Sequence, residues 1–304
     1  MDIRELATGL RFPEGPVAMD DGSVIVVEIA AGRITRVKPD GKTQTVANTG
    51  GGPNGLAIGP DGALYVCNNG GNFVMHERDG LLIPGHMPPT KEPGRIERVN
   101  LSTGKVEVVY SECDGHGLGA PNDIVFDTQG GFWFTDHGST TDEYRTHGNL
   151  YYAKADGSEI KHVLRELLSP NGVGLSPDGK TVHYAETFPG RLWSLPLEAP
   201  GKAAIPTGFT PANFAGAYPG LGYFDSLGVQ ADGAVCVATI LAGGISTFWL
   251  DSGKFEHTPL PDIAVTNICW GGKDMKTAYV TLSSTGKLAA MPWRSPGLRL
   301  NYNA

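Results

Sequence analysis

The hydrophobic and polar positions of the chain follow one recurring pattern. A polar residue precedes a short apolar stretch, then comes a turn pair such as Asp21-Gly22, then a strand rich in Val, Tyr, Phe and Thr. An Asp-Gly pair after an apolar strand is a strong hairpin signal, because such turns require positive φ. The polar residue lies seven positions before the turn pair in all six copies, at Glu14, Asn54, Asn122, Asn171, Asp225 and Asn267.

A second hairpin turn follows in several copies, for example at Asp40-Gly41 and Asp156-Gly157. Two hairpins per copy make about four antiparallel strands, which is one blade of a β-propeller. The leading polar residues are 40 to 68 positions apart along the chain. We therefore predict an all-β fold, a six-bladed β-propeller with four-stranded antiparallel blades, forming a single domain over residues 1–304.

The last copy predicts how the ring closes. After Asn267 there is room for only three strands, the last ending near Trp293. We predict that residues 3–8 supply the missing outer strand of this blade. A strand from the N-terminus would join the two ends of the chain and remove two open sheet edges.

Composition narrows the function. The 304 residues include 43 Gly and 22 Pro, and the formal net charge is −8. No basic stripe is present, so we expect no nucleic-acid partner. Residues 1–12 lack the apolar core of a signal peptide, and no apolar run is long enough to span a bilayer. We expect a cytoplasmic protein with no membrane partner, either a monomer or a weak homo-oligomer.

The six leading positions share a chemistry. In a propeller they would lie at one height around the central channel, and all six side chains carry oxygen. Asn54 and Asn171 form Asn-Gly pairs, so each alone could belong to a turn, but Glu14 and Asp225 hold the same register without being such turn pairs. Two carboxylates among amide oxygens favour a bound divalent cation. Oxygen ligands favour Ca²⁺ first, Mg²⁺ or Mn²⁺ next, and Zn²⁺ less. A purely structural ion is the alternative.

Five segments resemble one known family. They are FPEGP (12–16), PNGL (53–56), PNDIVFD (121–127), FWFTD (132–136) and PNGV (170–173). In order and spacing they resemble the senescence-marker-protein (regucalcin), gluconolactonase and luciferin-regenerating-enzyme family of six-bladed propellers. The resemblance implies one catalytic divalent cation bound by a Glu, two Asn and an Asp. The matching residues here are Glu14, Asn122, Asn171 and Asp225.

The resemblance also implies an activity, metal-assisted hydrolysis of a lactone or another small-molecule ester. It implies Asp225 as the general base, with direct nucleophilic attack by Asp225 left open. Alternatives are a phosphotriesterase-like hydrolase using the same cation and a non-catalytic propeller that binds calcium or another ligand. We expect the substrate-binding side chains to be Asn54, Asn122, His137 and Asn267.

Two features bear on the substrate. Sugar-lactone members of the family commonly carry an arginine two positions before the third-copy asparagine, where this chain has Ala120. That difference favours a less hydroxylated lactone or another ester. Three segments are candidate walls around the channel mouth. They are the insertion at residues 68–94, which we interpret as a lid, and residues 137–149 and 209–224.

Overall fold

The computed structural model describes residues 2–303, whose regular secondary structure is almost entirely β-strand, joined by turns and loops. The helical element among them is a single 3₁₀ turn, Ile29–Ala31. No helix in this part of the chain has both the length and the apolar character needed to cross a membrane.

The strands form six antiparallel blade sheets, each beginning with its innermost strand, and two separate two-stranded hairpins. The chain begins with β1 (Arg4–Ala7) and continues into blade one with β2 (Pro13–Ala18), β3 (Val24–Glu28), β4 (Arg33–Val37) and β5 (Thr43–Asn48). Blade two has β6 (Pro53–Ile58) and β7 (Leu64–Asn68), then an inserted hairpin of β8 (Met75–Arg78) and β9 (Leu81–Pro84), then β10 (Arg95–Val99) and β11 (Val106–Tyr110). A short hairpin, β12 (Glu112–Cys113) and β13 (His116–Gly117), leads to the next blade.

The second half of the chain repeats the scheme. Blade three has β14 (Pro121–Phe126), β15 (Gly131–Asp136), β16 (Gly148–Lys154) and β17 (Ile160–Leu167). Blade four has β18 (Pro170–Leu175), β19 (Thr181–Glu186) and β20 (Arg191–Ala199), and both β21 (Lys202–Ala203) and β22 (Asn213–Ala217) pair with β20. Blade five has β23 (Tyr223–Val229), β24 (Val235–Ile240), β25 (Gly244–Trp249) and β26 (Lys254–Pro259). Blade six has β27 (Val265–Gly271), β28 (Thr277–Leu282) and β29 (Lys287–Pro292).

The ring closes as predicted. Strand β1 pairs with β29, with Arg4 opposite Ala290 and Glu5 opposite Ala289. The innermost strands contact one another in the cyclic order β2, β6, β14, β18, β23, β27 and back to β2. The prediction of a six-bladed, four-stranded propeller closed by the N-terminal strand is therefore confirmed. That residues 1–304 form one domain stays a prediction.

The predicted hairpin turns set the register of each blade. Gly22, in the turn between β2 and β3, has a φ of 79°. In the sixth copy Met275 stands where the other copies have glycine, and it still adopts a positive φ of 55°. Because the turn conformation is kept even without glycine, the sixth copy preserves the same strand pairing despite its weaker sequence signal.

The core lies between neighbouring blades. In β15, Phe132 and Phe134 belong to the apolar cluster shared with blade two, whereas Trp133 belongs to the cluster shared with blade four. This alternation is the two-residue period of a strand buried on both faces. Trp133 stacks edge-on against Tyr152, with ring centroids 5.1 Å apart. Packing on both faces fixes each blade and holds its innermost strand in place.

Candidate metal and substrate site

Each of the six innermost strands is irregular at the predicted polar position. Its pairing with the second strand of the blade shifts register there, which is the signature of a β-bulge. A bulge releases side chains from strict alternation and can direct them into the channel. The shifts lie between Glu14 and Val17, Pro53 and Leu56, Pro121 and Ile124, Pro170 and Val173, Phe224 and Leu227, and Val265 and Asn267.

Glycine follows the polar residue in three copies, and its role is close packing. Asn54-Gly55 and Asn171-Gly172 lie inside strands β6 and β18, so neither pair forms a hairpin turn. A Cβ on Gly172 would lie 2.5 Å from Leu227 N and 2.9 Å from Asp225 O. Neighbouring innermost strands thus approach as closely as their backbones allow, which brings the polar residues of adjacent blades together.

Glu14 is buried and held at one carboxylate oxygen. Asn267 Nδ2 donates to Glu14 Oε2 at 2.8 Å, and Gly15 N donates to the same atom at 2.6 Å. The second oxygen, Oε1, has no hydrogen-bond partner anywhere in residues 2–303. Burial raises the pKa of Glu14, while the bond from Asn267 opposes that change. The carboxylate is therefore oriented by one oxygen, while the other oxygen is buried and free to bind a ligand.

Two asparagines repeat this arrangement. Asn171 Nδ2 donates to Thr187 Oγ1 at 3.1 Å, which fixes the plane of the amide. The carbonyl oxygens of Asn122 and Asn171 are buried, and neither accepts a hydrogen bond from any residue that the structure describes. Unsatisfied buried oxygens are rare in folded proteins, and a ligand or ion is one of the usual reasons for them.

Asp225 is partly exposed on β23. Desolvation raises the pKa of its carboxyl well above the ordinary value, and the negative charge of Glu14 raises it further. Hydrogen bonds from Asn171 and from Ser226 N act in the opposite direction. The structure therefore places Glu14, Asn171 and Asp225 within interaction range of one another, although they come from blades one, four and five.

A third carboxylate near Glu14 and Asp225, that of Asp123, is not among the site residues predicted from the sequence. It is buried beside Asn122, and its Oδ1 accepts Ile124 N at 2.9 Å. Burial and the charge of Glu14 raise its pKa to about 7. The sequence does carry a signal for it: directly after the leading polar residue, copies one, two and four have glycine, whereas the third copy has an acid. The charges of Glu14 and Asp123 both raise the pKa of Asp225, so three acids lie close together, which favours a positive charge among them.

The residues predicted to contact substrate fall into two groups. Asn267 binds Glu14 through Nδ2 and accepts Ile268 N at 2.8 Å through Oδ1, so both ends of its amide are engaged. Asn54 is buried on β6, the innermost strand of blade two. His137 is buried at the end of β15, and burial lowers its pKa to about 4, so its ring is neutral at pH 7.

A second set of polar residues supports the first. The last residues of four second strands lie opposite the prolines at the start of the innermost strands. Each accepts a backbone N–H from the segment just before its proline; for Asp136, the donors are Gly119 and Ala120, both at 2.7 Å. These side chains fix the entry of each innermost strand. They are Glu28, Asn68, Asp136 and Glu186.

Within the described chain, one group of three Cys, His, Asp or Glu side chains brings ligand atoms within 4.8 Å of one another: Cys113, Asp114 and His162. Asp114 also forms an ion pair with Arg165 at 3.1 Å. The group lies between the β12 hairpin and β17, the outer strand of blade three. It is separate from the oxygen ligands on the innermost strands.

A family model described as "SMP-30/Gluconolactonase/LRE-like region" matches residues 12–284, about nine tenths of the chain. The chain belongs to this family. The resemblance inferred from the five motifs is thereby confirmed.

Curated relatives include a protein named lactonase drp35 from Staphylococcus haemolyticus, 29% identical over 238 residues, covering 77% of this chain and 65% of the relative. A lactonase drp35 from Staphylococcus epidermidis is 26% identical over 231 residues, covering 75% and 63%. The aligned part thus spans slightly less than two thirds of the length of these relatives.

Solved structures share the fold. A gluconolactonase from Xanthomonas campestris superposes with a TM-score of 0.75 at 20% identity, covering 97% of this chain and 89% of that one. A calcium-binding regucalcin from Agrobacterium tumefaciens gives a TM-score of 0.73 at 19% identity, covering 98% of both chains. At these identities the likeness concerns the architecture of the propeller.

Proposed function

We propose that this protein is a metal-dependent hydrolase that opens a lactone, a carboxylic ester hydrolase of the gluconolactonase type. The observation that carries the proposal is the set of buried, unpartnered oxygens on Glu14, Asn122 and Asn171 beside the Asp225 carboxylate. The names of the curated relatives support lactone hydrolysis. The calcium-binding structural relative supports the choice of cation.

The residues present fit a divalent cation. Glu14 Oε1, Asn122 Oδ1, Asn171 Oδ1 and the Asp225 carboxylate would hold it, and oxygen-only ligands favour Ca²⁺ over Mg²⁺, Mn²⁺ or Zn²⁺. When bound, the cation would polarise the ester carbonyl and lower the pKa of a bound water. Asn267 and Thr187 hold the other ends of Glu14 and Asn171, so the ligand oxygens are oriented beforehand.

Asp225 is our choice for the general base. Its carboxylate would accept a proton from the attacking water, and desolvation makes it a stronger base than an aspartate in water. Direct attack by Asp225 on the substrate remains the alternative role. Asn54, Asn122 and His137 would position the substrate, and Asn267 would act mainly by holding Glu14. The cytoplasmic location, the absence of nucleic-acid and membrane partners, and the monomeric or weakly oligomeric state stay predictions.

The test is acid release from a panel of lactones, followed in a pH-stat. We expect turnover that is lost after treatment with chelator and restored by Ca²⁺. The Asp225→Asn variant should lose about 10²- to 10⁴-fold in kcat, the range of general-base catalysis. Asp232→Asn is the matched control, because Asp232 lies in an exposed turn of the same blade and its carboxylate accepts the turn hydrogen bond from Ala234 N. It should keep full activity.

The outcomes separate the alternatives. Turnover that survives chelation would rule out the metal mechanism, and undiminished turnover by Asp225→Asn would remove Asp225 as the base. A melting temperature that depends on Ca²⁺, without turnover of lactones, esters or phosphotriesters, would indicate a non-catalytic calcium-binding propeller. Faster turnover of an organophosphate than of any lactone would indicate a phosphotriesterase-like enzyme.

A further inference from the structure

An arginine near the candidate site has no acidic partner. The guanidinium carbon of Arg145 lies 3.3 Å from the ring centroid of Phe188, and Arg145 Nε donates to Thr140 Oγ1 at 3.0 Å. Among residues 2–303 no carboxylate forms an ion pair with Arg145, and no acceptor is bound by its terminal Nη atoms. Stacking fixes the plane of the guanidinium while leaving its outer N–H groups free to bind a ligand.

Phe188 is part of a continuous row of rings, which we name the aromatic wall: Phe73, His137, Phe188 and Tyr223. His137 lies 6.1 Å from Phe73 and 5.9 Å from Phe188, and Phe188 lies 5.4 Å from Tyr223, all edge to face. The four residues come from blades two, three, four and five. The aromatic wall therefore crosses several blades and is a feature of the assembled ring.

The aromatic wall adjoins the oxygen ligands. Phe188 directly follows Thr187, whose hydroxyl accepts the hydrogen bond from Asn171. Tyr223 lies two positions before Asp225 on β23. A substrate whose reacting ester lies at these oxygens would extend its remaining atoms along the aromatic wall toward Arg145.

The insertion in blade two is bonded to the loop that carries Arg145. Asn72 Nδ2 donates to Gly138 O at 3.1 Å, Ser139 Oγ donates to Asn72 Oδ1 at 2.6 Å, and Met87 N donates to Thr140 O at 2.7 Å. These bonds hold the loop at residues 137–149 in place, so the arginine is presented from an ordered segment. Ordered groups lose less entropy when a ligand binds.

We infer that Arg145 and the aromatic wall form a specificity subsite for a lactone that carries a carboxylate on its ring. The inference rests on the proposed function. The apolar rings would contact the ring carbons of the substrate, and the planar guanidinium would pair with the two oxygens of a carboxylate. The single positive charge of Arg145, which has no acidic partner, would be balanced by a single carboxylate on the substrate.

The experiment compares two lactones that differ in one group, 5-oxotetrahydrofuran-2-carboxylate and the corresponding carboxamide. We expect the wild-type protein to prefer the carboxylate in kcat/KM by about tenfold or more, the gain typical of a charge-assisted hydrogen bond. Arg145→Met keeps an apolar contact with Phe188 but removes the charge, and it should abolish the preference mainly by raising KM for the carboxylate. Phe188→Leu removes the stacking surface and should lower the preference partly.

Arg165→Met is the matched control, since Arg165 is an exposed arginine of the same blade whose partner is Asp114 on the outer side. It should leave the preference unchanged. Equal kcat/KM for both lactones in the wild-type protein, or an unchanged preference in Arg145→Met, would overturn the subsite while leaving lactone hydrolysis established. If neither lactone is hydrolysed, calorimetric titration of the protein with each lactone measures binding and still tests the subsite. Tighter binding of the carboxylate that is lost in Arg145→Met supports the subsite, and equal binding refutes it.

Discussion

The close approach of the innermost strands makes a sharp prediction at Gly172. In the Gly172→Ala variant the new Cβ would meet three backbone atoms of the neighbouring strand β23: Leu227 N at 2.5 Å, Ser226 C at 2.7 Å and Asp225 O at 2.9 Å. Backbone atoms cannot rotate away as side-chain ends can. Strands β18 and β23 must therefore separate, and Asn171 and Asp225 must separate with them.

The size of the effect follows from these distances. Non-bonded carbon contacts are comfortable at about 3.5 Å or more, so the strands must move apart by about 1 Å. Overpacking of this kind costs about 1–3 kcal/mol of stability. For a chain of this length that corresponds to a fall in melting temperature of about 2–5 °C. A displacement of about 1 Å between two ligands also exceeds the tolerance of a metal or catalytic site, which is about 0.5 Å.

Gly174→Ala is the matched control on the same strand. Its Cβ would meet only the ends of two side chains, Leu227 Cδ1 at 2.8 Å and Val229 Cγ2 at 3.0 Å, and both can shift. Calorimetry in Ca²⁺ and in chelator measures the melting temperature and its dependence on the ion. We expect Gly172→Ala to melt lower and to lose most of the Ca²⁺ response, whereas Gly174→Ala should retain it. Identical behaviour of the two variants would refute the packing argument.

Two further predictions concern charge. Removing Ca²⁺ should destabilise the wild-type protein by about 2.7 kcal/mol relative to its state at an ion concentration 100 times the Kd. The Glu14→Gln variant should melt higher than wild type in chelator, because a buried charge is gone, yet lower than wild type in Ca²⁺. A Ca²⁺ response as large as that of wild type would contradict the assignment of Glu14 as a metal ligand. Burial lowers the pKa of His183 to about 4. The neutral ring therefore makes its full contribution to the free energy of unfolding above pH 6.5, and this contribution is lost as the pH falls from 6.5 to 4. Between pH 7 and pH 5 the free energy of unfolding should fall by about 2 kcal/mol because of this residue. Urea unfolding of wild type and His183→Gln at both pH values measures it, and equal losses would exclude His183 as the cause.

The regular part of this fold was predictable because it is encoded locally. The seven-residue distance from the polar residue to the turn pair lies within one hairpin. The register of the first hairpin can therefore be predicted from Glu14 and Asp21-Gly22 without reference to any other blade. Ring closure by β1 followed from counting strands. These features need only chain connectivity and turn chemistry.

The remaining features depend on contacts between distant segments. Asn267 binds Glu14 across 253 positions of sequence, so its role as a holder of the carboxylate could not be read from either copy alone. Asp123 became visible as a third acid only when the ring placed it near Glu14. The insertion at residues 68–94 is hydrogen-bonded to two distant segments, through Leu82 N to Ser284 O and through Met87 N to Thr140 O, and its role as a lid stays a prediction.

Contacts between the innermost strands hold candidate ligand residues in place. In a flexible channel, the amide of Asn122 or Asn171 would rotate or shift until its oxygen found a donor. Here Thr187 holds the Asn171 amide, Asn267 holds Glu14, and the contact of Gly172 with β23 leaves the strands no room to slide. The oxygens proposed as ligands on Glu14 and Asn171 are therefore held in a fixed arrangement. In the proposed site, oxygens that cannot adjust their positions would favour Ca²⁺, which accepts irregular oxygen geometry, over Mg²⁺, which requires near-ideal octahedral geometry.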